Sequence, residues 1–167
     1  MKAIKLLRKQ EGLTLIEVLL SITILSIILF SFMRFFLQAG NFTNLNEKKT
    51  VAVNVARNVL MFMKQQSFIE IKDKIAKLPE ENGHFNLYIC DNKYQYFNNT
   101  ETPLTSCKSI QINNEDYKVS LYSNLEDCKA EGNCNYYIPI TVEVRWSIRD
   151  KIYKTTIDGT IESEDLR

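Results

Sequence analysis

Residues 11–33 read EGLTLIEVLLSITILSIILFSFM, and this stretch decides how the chain is organised. Residues 18–33 carry no charge, and extension to residues 13–37 adds only Glu17 and Arg34 as charged side chains. A bilayer core requires about 20 apolar residues of helix. The stretch therefore predicts a helix over residues 13–37 that is long enough to span a membrane.

A basic cluster before this run predicts the orientation of the span. Only Glu11 opposes four basic side chains that precede Gly12, namely Lys2, Lys5, Arg8 and Lys9. Because basic residues favour the cytoplasmic side, we expect a single pass through the cytoplasmic membrane, with the C-terminal part outside. The whole chain has 21 basic and 20 acidic side chains, a balance that does not favour a nucleic-acid partner.

Two ordinary explanations of the apolar run are a cleaved signal peptide and a plain signal anchor. A signal peptidase site needs small residues at its −3 and −1 positions. The sequence FFLQAGN after residue 34 places bulky Leu37 at the −3 position, which is a poor site. A signal-anchored extracellular domain stays open, but neither explanation accounts for Glu17.

Glu17 is the unusual residue of the apolar run. A carboxylate at the centre of a membrane helix costs roughly 2.5–3.5 kcal/mol on insertion scales, so it normally has a partner and a function. If the chain began at Leu13, Glu17 would lie only about 6 Å along the helix, close to the membrane interface. Its position lowers this cost and leaves its purpose to be explained.

The residues from Glu11 to Val18, EGLTLIEV, resemble the processing motif of type IV prepilins and pseudopilins. The resemblance implies that residues 1–12 are a leader, that a prepilin peptidase cuts after Gly12, and that the new N-terminus at Leu13 is methylated. The product would keep 17 basic and 19 acidic side chains, a net charge of −2. The residues that follow Leu13 in the motif are Thr14, Leu15, Ile16 and Glu17.

The same resemblance implies how the product assembles. In that family the glutamate of one subunit meets the N-terminal amine of a neighbour, so the implied partners are other pilins, the assembly platform and the membrane. The final location would be a cell-surface or periplasmic filament. Leu13 departs from the usual phenylalanine, Arg34 stands where many pilins have proline, and Ser26 stands where many have glycine. We therefore expect any break in the helix at Gly40.

Residues 38–78 are predicted to be an amphipathic helical segment. An apolar stripe recurs there at helical spacing, formed by Ala52, Val55, Val59 and Phe62 and widened by Ala56 and Met63. We expect this stripe to pack on the sheet of the chain's own C-terminal part.

Residues 79–167 are predicted to be an antiparallel β domain. Short β-like runs occur at residues 85–90, 93–97, 109–112 and 117–123, separated by turn-rich loops. Residues 138–148 and 151–161 alternate apolar and polar side chains, which predicts a closing hairpin. The fold class is therefore α+β, and the pilin-like architecture is a long helix whose second half packs on a C-terminal sheet.

The chain has four cysteines, Cys90, Cys107, Cys128 and Cys134. None has Cys-x-x-Cys spacing, so a metal site is not predicted. An extracytoplasmic location favours two disulfides among three possible connectivities, and nearest-neighbour pairing favours Cys90–Cys107 with Cys128–Cys134. Free thiols in a reducing compartment are the alternative.

A second resemblance concerns the end of the chain. Ala52, Ala56 and the run VEVRW at residues 142–146 are similar to PilV-type minor pilins and to the I-type minor pseudopilins of type II secretion. This favours a minor subunit, while pili, protein secretion and competence stay open as the system.

No catalytic site is predicted. His84 is the single histidine and lies beside Gly83 in a predicted turn, so no Ser/His/Asp arrangement can be built. No cofactor, metal or small-molecule substrate is predicted. The remaining alternative is a binding module at a filament tip, an adhesin or a DNA-capturing subunit.

Overall fold

The computed structural model describes residues 12–78, 83–123 and 136–166. Within these residues, two α-helices precede six β-strands. The elements are α1 (Leu15–Lys64), α2 (Phe68–Ala76), β1 (Phe85–Cys90), β2 (Lys93–Asn98), β3 (Ile110–Ile112), β4 (Glu115–Tyr122), β5 (Tyr137–Ile148) and β6 (Lys151–Glu162), with a closing 3-10 turn at Glu164–Leu166. The predicted α+β class is confirmed: a long N-terminal helix packs against a six-stranded antiparallel sheet.

Helix α1 is continuous over 50 residues. No break occurs at Gly40, the position expected for any break, because the helix passes through it without interruption. One glycine inside a helix costs only about 1 kcal/mol relative to alanine, less than the loss of the helical hydrogen bonds around it. The chain nevertheless divides into two compact units between Asn44 and Leu45, and α1 contributes to both.

In the second unit, residues 45–64 of α1 bury the predicted stripe. Five of its six residues are buried in the core, namely Ala52, Val55, Ala56, Val59 and Met63. Phe62 is only half-buried and instead meets the edge of Tyr94, with ring centroids 5.3 Å apart. The small Ala52 and Ala56 allow close approach of the helix to the sheet, so the stripe specifies which side of α1 faces the strands.

The helical segment predicted over residues 38–78 is divided between two helices. After α1 ends at Lys64, Ser67 caps α2 by accepting a hydrogen bond from the backbone N–H of Glu70 (3.4 Å). Such a cap satisfies one of the N–H groups left free at a helix start. Helix α2 then buries Phe68 and Ile71 in the same core.

The sheet has the strand order β2-β1-β4-β5-β6, and β3 pairs with β4 beyond the end of β1. The longest pairing is between β5 and β6, twelve residues in each strand in unbroken register. The β-runs expected from the sequence all appear as strands, and the predicted closing hairpin is confirmed.

The two faces of the sheet differ in chemistry. The inner face contacts the helices and carries Val119, Leu121, Val142 and Val144 in the core. We call the opposite face the outer face. It carries Asn86, Ser120, Glu143 and Thr156, which are neighbours across β1, β4, β5 and β6. This alternation follows from the two-residue period of a strand.

Three tight turns connect neighbouring strands, and all three use residues with positive φ. Each has two residues between paired strands, which is the geometry of a type I′ hairpin turn. The turn residues are Asp91 (φ 51°), Asn92 (61°), Asn113 (52°), Asn114 (63°), Arg149 (49°) and Asp150 (64°). Asn and Asp tolerate this left-handed region, whereas Arg149 is strained there.

A disulfide joins Cys90 at the end of β1 to Cys107. Beside it, Ile89 and Lys108 exchange two backbone hydrogen bonds of 2.9 and 3.0 Å. The disulfide predicted between these two cysteines is therefore present in the structure. Cys128 and Cys134 lie outside the described residues, so their predicted pairing stays a prediction.

The strained turn gives a test of the hairpin. Arg149→Asn places a residue that tolerates positive φ at the first turn position, so we expect the free energy of unfolding to rise by about 0.5–1 kcal/mol. Thermal unfolding of the full chain in detergent should shift upwards by roughly 2–4 °C. Lys151→Asn, at the first residue of β6 after the turn, is the control and should not raise the free energy of unfolding. A gain of the same size from both variants would contradict the assigned turn.

Candidate processing and assembly site

Gly12, Leu13 and Thr14 precede α1 and have no regular secondary structure. All three are exposed, and 74% of Leu13 is accessible. The predicted scissile bond between Gly12 and Leu13 is therefore in exposed chain, the kind of segment that proteases reach most easily.

The structure of the chain does not itself require glycine at position 12. No atom lies within 4 Å of the point where a Cβ would be, and the residue does not have a positive φ. A glycine that the fold does not need is consistent with a requirement from outside the chain, such as close approach of a peptidase to the backbone.

Thr14 caps the N-terminus of α1. Its Oγ1 and its carbonyl oxygen both accept from the backbone N–H of Glu17, at 3.3 and 3.0 Å, and the carbonyl also accepts from Val18 N–H at 3.2 Å. The first helical N–H groups lack partners within the helix, so this cap fixes where α1 begins. Two residues of the predicted mature chain, Leu13 and Thr14, would then precede the helix.

Glu17 lies in the first turn of α1, three residues after the cap. A threonine followed three residues later by glutamate is the sequence pattern of a capping box, and a carboxylate there interacts favourably with the positive end of the helix dipole. No described residue forms an ion pair with Glu17. Its charge is thus available for a cation from elsewhere.

The apolar run itself satisfies its own hydroxyl groups. Each donates to a backbone carbonyl three or four residues earlier, as Ser21 does to Glu17, Thr23 to Leu20, Ser26 to Ile22 and Ser31 to Ile27. This arrangement suits a helix in hydrocarbon, where unpaired polar groups are expensive. By length and composition, α1 is the one described helix that could cross a membrane.

A family model described as the prokaryotic N-terminal methylation motif matches residues 7–33. No curated protein and no solved structure matches the chain. The matched range includes the predicted cleavage position, the Thr14 cap, Glu17 and most of the apolar run. Over these residues the chain is similar to proteins with this motif, and α1 is long and apolar enough to cross a membrane.

The structure brings only part of the predicted site together. Thr14 and Glu17 are joined by the cap, while Leu15 and Ile16 occupy the first turn with exposed side chains. Cleavage after Gly12 and methylation remain predictions. Sequence reasoning did not identify Thr14 as the cap, although its spacing from Glu17 could have indicated this.

A second cluster of charges lies on the outer face of the sheet. The Glu143 carboxylate is 7% exposed and accepts from Arg145 Nε (2.6 Å) and from Lys154 Nζ (3.0 Å). Arg145 also donates from Nη2 to the Tyr122 hydroxyl at 3.1 Å. Burial alone would raise the pKa of Glu143, but the hydrogen bonds and charges of Lys154 and Arg145 outweigh it and lower that pKa.

Within residues 12–78, 83–123 and 136–166, no group of three or more His, Cys, Asp or Glu side chains could hold a metal ion. His84 packs against Tyr122, with ring centroids 5.1 Å apart.

The Thr14 cap can be tested by removing its acceptor. Thr14→Val has a similar shape but lacks the hydroxyl, so the first turn of α1 should lose about 1 kcal/mol of stability. Amide exchange at Glu17 and Val18, measured by NMR on the full chain in micelles, should accelerate about fivefold. Thr14→Ser keeps the acceptor and is the control. Unchanged exchange in Thr14→Val would contradict the cap.

The lowered pKa of Glu143 predicts an acid-dependent contribution to stability. Because the folded-state pKa lies below the ordinary value of 4.5, the contribution is present above pH 4.5 and is lost as the pH falls through the folded-state pKa. Glu143→Gln should therefore be less stable than the parent chain at pH 7, and the difference should shrink below pH 4.5. Denaturant unfolding across this range measures it. A difference of equal size and pH profile in Glu162→Gln, an exposed position in β6, would contradict the assignment.

Proposed function

We propose that the chain is the precursor of a structural subunit of a type IV pilus or a related filament. The observation that carries the proposal is the arrangement at the start of α1. This start has an exposed glycine that the fold does not need, a capped first turn and an acidic residue without a described partner. A membrane-length helix follows at once.

In this proposal the leader is removed after Gly12 by a prepilin peptidase. Cleavage creates an α-ammonium at Leu13, which then becomes methylated. Before cleavage the chain lacks this cation, and after cleavage it lies two residues from the helix start. The positive end of the α1 dipole disfavours a cation there, so an acidic group from another subunit is a suitable partner.

Glu17 supplies that acidic group. A carboxylate in an apolar environment is stabilised when it meets an ammonium with good geometry, and breaking a buried pair is costly. Pairing of Glu17 with the Leu13 amine of a neighbour would therefore favour one axial register of the two helices. The assembled helices would form the filament core, and the C-terminal domain would lie outside the membrane.

Within this class we propose a minor rather than a major subunit. The support is the similarity of residues 142–146 and of the two helix alanines to PilV-type and I-type proteins. In this chain Val142, Val144 and Trp146 are core residues of β5, so the run has a packing role as well. Pilus, type II secretion and competence systems are all compatible with the arrangement.

Two other functions make different predictions. A signal-anchored extracellular domain would keep its N-terminus at Met1 and would not need Glu17. A filament-tip adhesin or DNA-binding subunit would be processed in the same way but would bind a ligand through its C-terminal domain. No described feature favours either one over the structural role.

The N-terminus of the membrane-extracted chain distinguishes these functions. We expect mass spectrometry to find a product that starts at methylated Leu13. An intact Met1 would overturn the proposal and would support the signal anchor.

Glu17→Ala tests the assembly step separately. We expect this variant to insert in the membrane and to be processed, but to enter filaments at least tenfold less than the parent chain, because the neighbouring amine loses its partner. Filament fractions analysed by immunoblot measure this. Thr23→Ala, also within α1, is the matched control and should assemble normally. Normal incorporation of Glu17→Ala would rule out the pairing.

A further inference from the structure

Strand β6 leaves a long edge of the sheet open. It pairs with β5 over all twelve residues without a bulge, and it contains no proline. On its other side, no strand in residues 83–123 or 136–166 pairs with it. Unpaired strand edges present a row of hydrogen-bonding groups that can accept another strand.

The closing turn determines which backbone groups point away from β5. In a two-residue hairpin the pair next to the turn, here Ile148 and Lys151, is hydrogen-bonded, and such pairs alternate along the ladder. The hydrogen bond from Ser163 N–H to the Tyr136 carbonyl (2.8 Å) follows the same alternation. The residues that direct N–H and C=O outwards are therefore the even-numbered ones, Ile152, Lys154, Thr156, Asp158, Thr160 and Glu162.

A row of cations on the outer face ends at this edge. Lys118, Arg145 and Lys154 are direct neighbours across β4, β5 and β6. Like charges opposite each other are unfavourable, and the described residues supply one carboxylate to the row, that of Glu143, which contacts Arg145 and Lys154. Arg145 and Lys154 remain 49% and 67% exposed. The row thus carries more positive than negative charge.

We propose that the edge of β6 binds an extended strand of a neighbouring subunit with a different sequence, which joins the sheet and places a carboxylate opposite Lys154. The proposal rests on the filament function proposed above. An added strand would continue the cationic row, with its facing side chain about 4.5–5.5 Å from that of Lys154. A carboxylate there balances the charge.

Asp158 adds a second requirement for the partner. It lies on the same face as Lys154, four residues further along β6, is exposed, and accepts a hydrogen bond from the Thr141 hydroxyl (2.7 Å). A basic residue opposite Asp158 would complete the charge pattern. The partner strand is therefore expected to carry an acid and a base four residues apart, with β-forming residues between them.

A second copy of β6 is excluded as the occupant by symmetry. Antiparallel pairing of two β6 edges would match Lys154 with Asp158, but its twofold axis would be perpendicular to the sheet. Such a contact joins two identical surfaces, so it closes a pair of subunits and cannot be repeated along a filament.

Lys154 also has a protective explanation, since lysines on edge strands often prevent unwanted pairing. The two explanations predict opposite effects of its removal. If Lys154 only protects the edge, Lys154→Thr should increase association of the chain with other strands. If Lys154 binds the partner, Lys154→Thr should decrease it.

The test uses the full chain in cells that contain its filament machinery. Ile152→benzoylphenylalanine places a photoreactive group at an exposed outward position, and cross-linked products are identified by mass spectrometry. We expect a cross-link to a different polypeptide. Lys154→Glu should reduce its yield about tenfold or more, equivalent to about 1.4 kcal/mol, because it adds repulsion against the partner carboxylate.

Two further variants make the test specific. Thr156→Pro removes an outward N–H but no hydrogen bond to β5, so it should reduce the yield and leave the thermal unfolding of the chain nearly unchanged. Lys93→Glu reverses an exposed lysine on the same face at the opposite edge strand, β2, and should have no effect. Lys154→Thr keeps the backbone and does not place a second carboxylate beside Glu143, so a lower yield from this variant decides the matter if Thr156→Pro fails to fold.

Three results would overturn the docking edge. They are the absence of any cross-link, a cross-link only between copies of this chain, and equal yields from the parent and the Lys154→Glu chain. The N-terminal residue of the chain in the same sample distinguishes failure of the docking edge from failure of the filament function. A chain that starts at Leu13 but gives no cross-link refutes the docking edge alone, whereas a chain that still starts at Met1 refutes the filament function.

Discussion

Burial of one stripe of α1 against the sheet is the interaction on which the C-terminal unit depends. Ala52, Val55, Ala56, Val59 and Met63 are buried on the inner face, where the apolar side chains of β4 and β5 meet them. Full burial of a valine or methionine side chain contributes roughly 1.5–3 kcal/mol. Without this helix, the inner face of the sheet would expose its core to water, so the helix is part of the domain and not merely its anchor.

The same helix must also suit a second environment at its N-terminal end. There the apolar run pairs its hydroxyls internally, and Thr14 caps the first turn. Glu17 is the exception, because none of the described residues neutralises its charge. In the proposed function this residue links processing to assembly, because an uncut neighbour would lack the amine that the carboxylate needs.

The outer face of the sheet also carries charge that the described residues leave unbalanced. Glu143 is buried between Arg145 and Lys154, and its lowered pKa keeps it charged. Among the described residues, this one carboxylate does not balance the row that also includes Lys118. The cationic row reaches the open edge of β6, so charge and unpaired backbone groups occur at the same place. This coincidence supports the strand partner proposed at this edge and not at the shorter edge of β2.

The sequence by itself determined the membrane-length helix, the buried stripe, the strands and the closing hairpin, because helical and strand periodicities are local properties of a few residues. It did not determine that α1 continues through Gly40, since the small penalty of one glycine is overcome by the cooperative helix around it. The tertiary structure alone decided that Lys118, Arg145 and Lys154 form one row, that Glu143 is buried beneath it, and that β6 is an edge. These features depend on strand order and register, which are set by contacts between residues far apart in the chain.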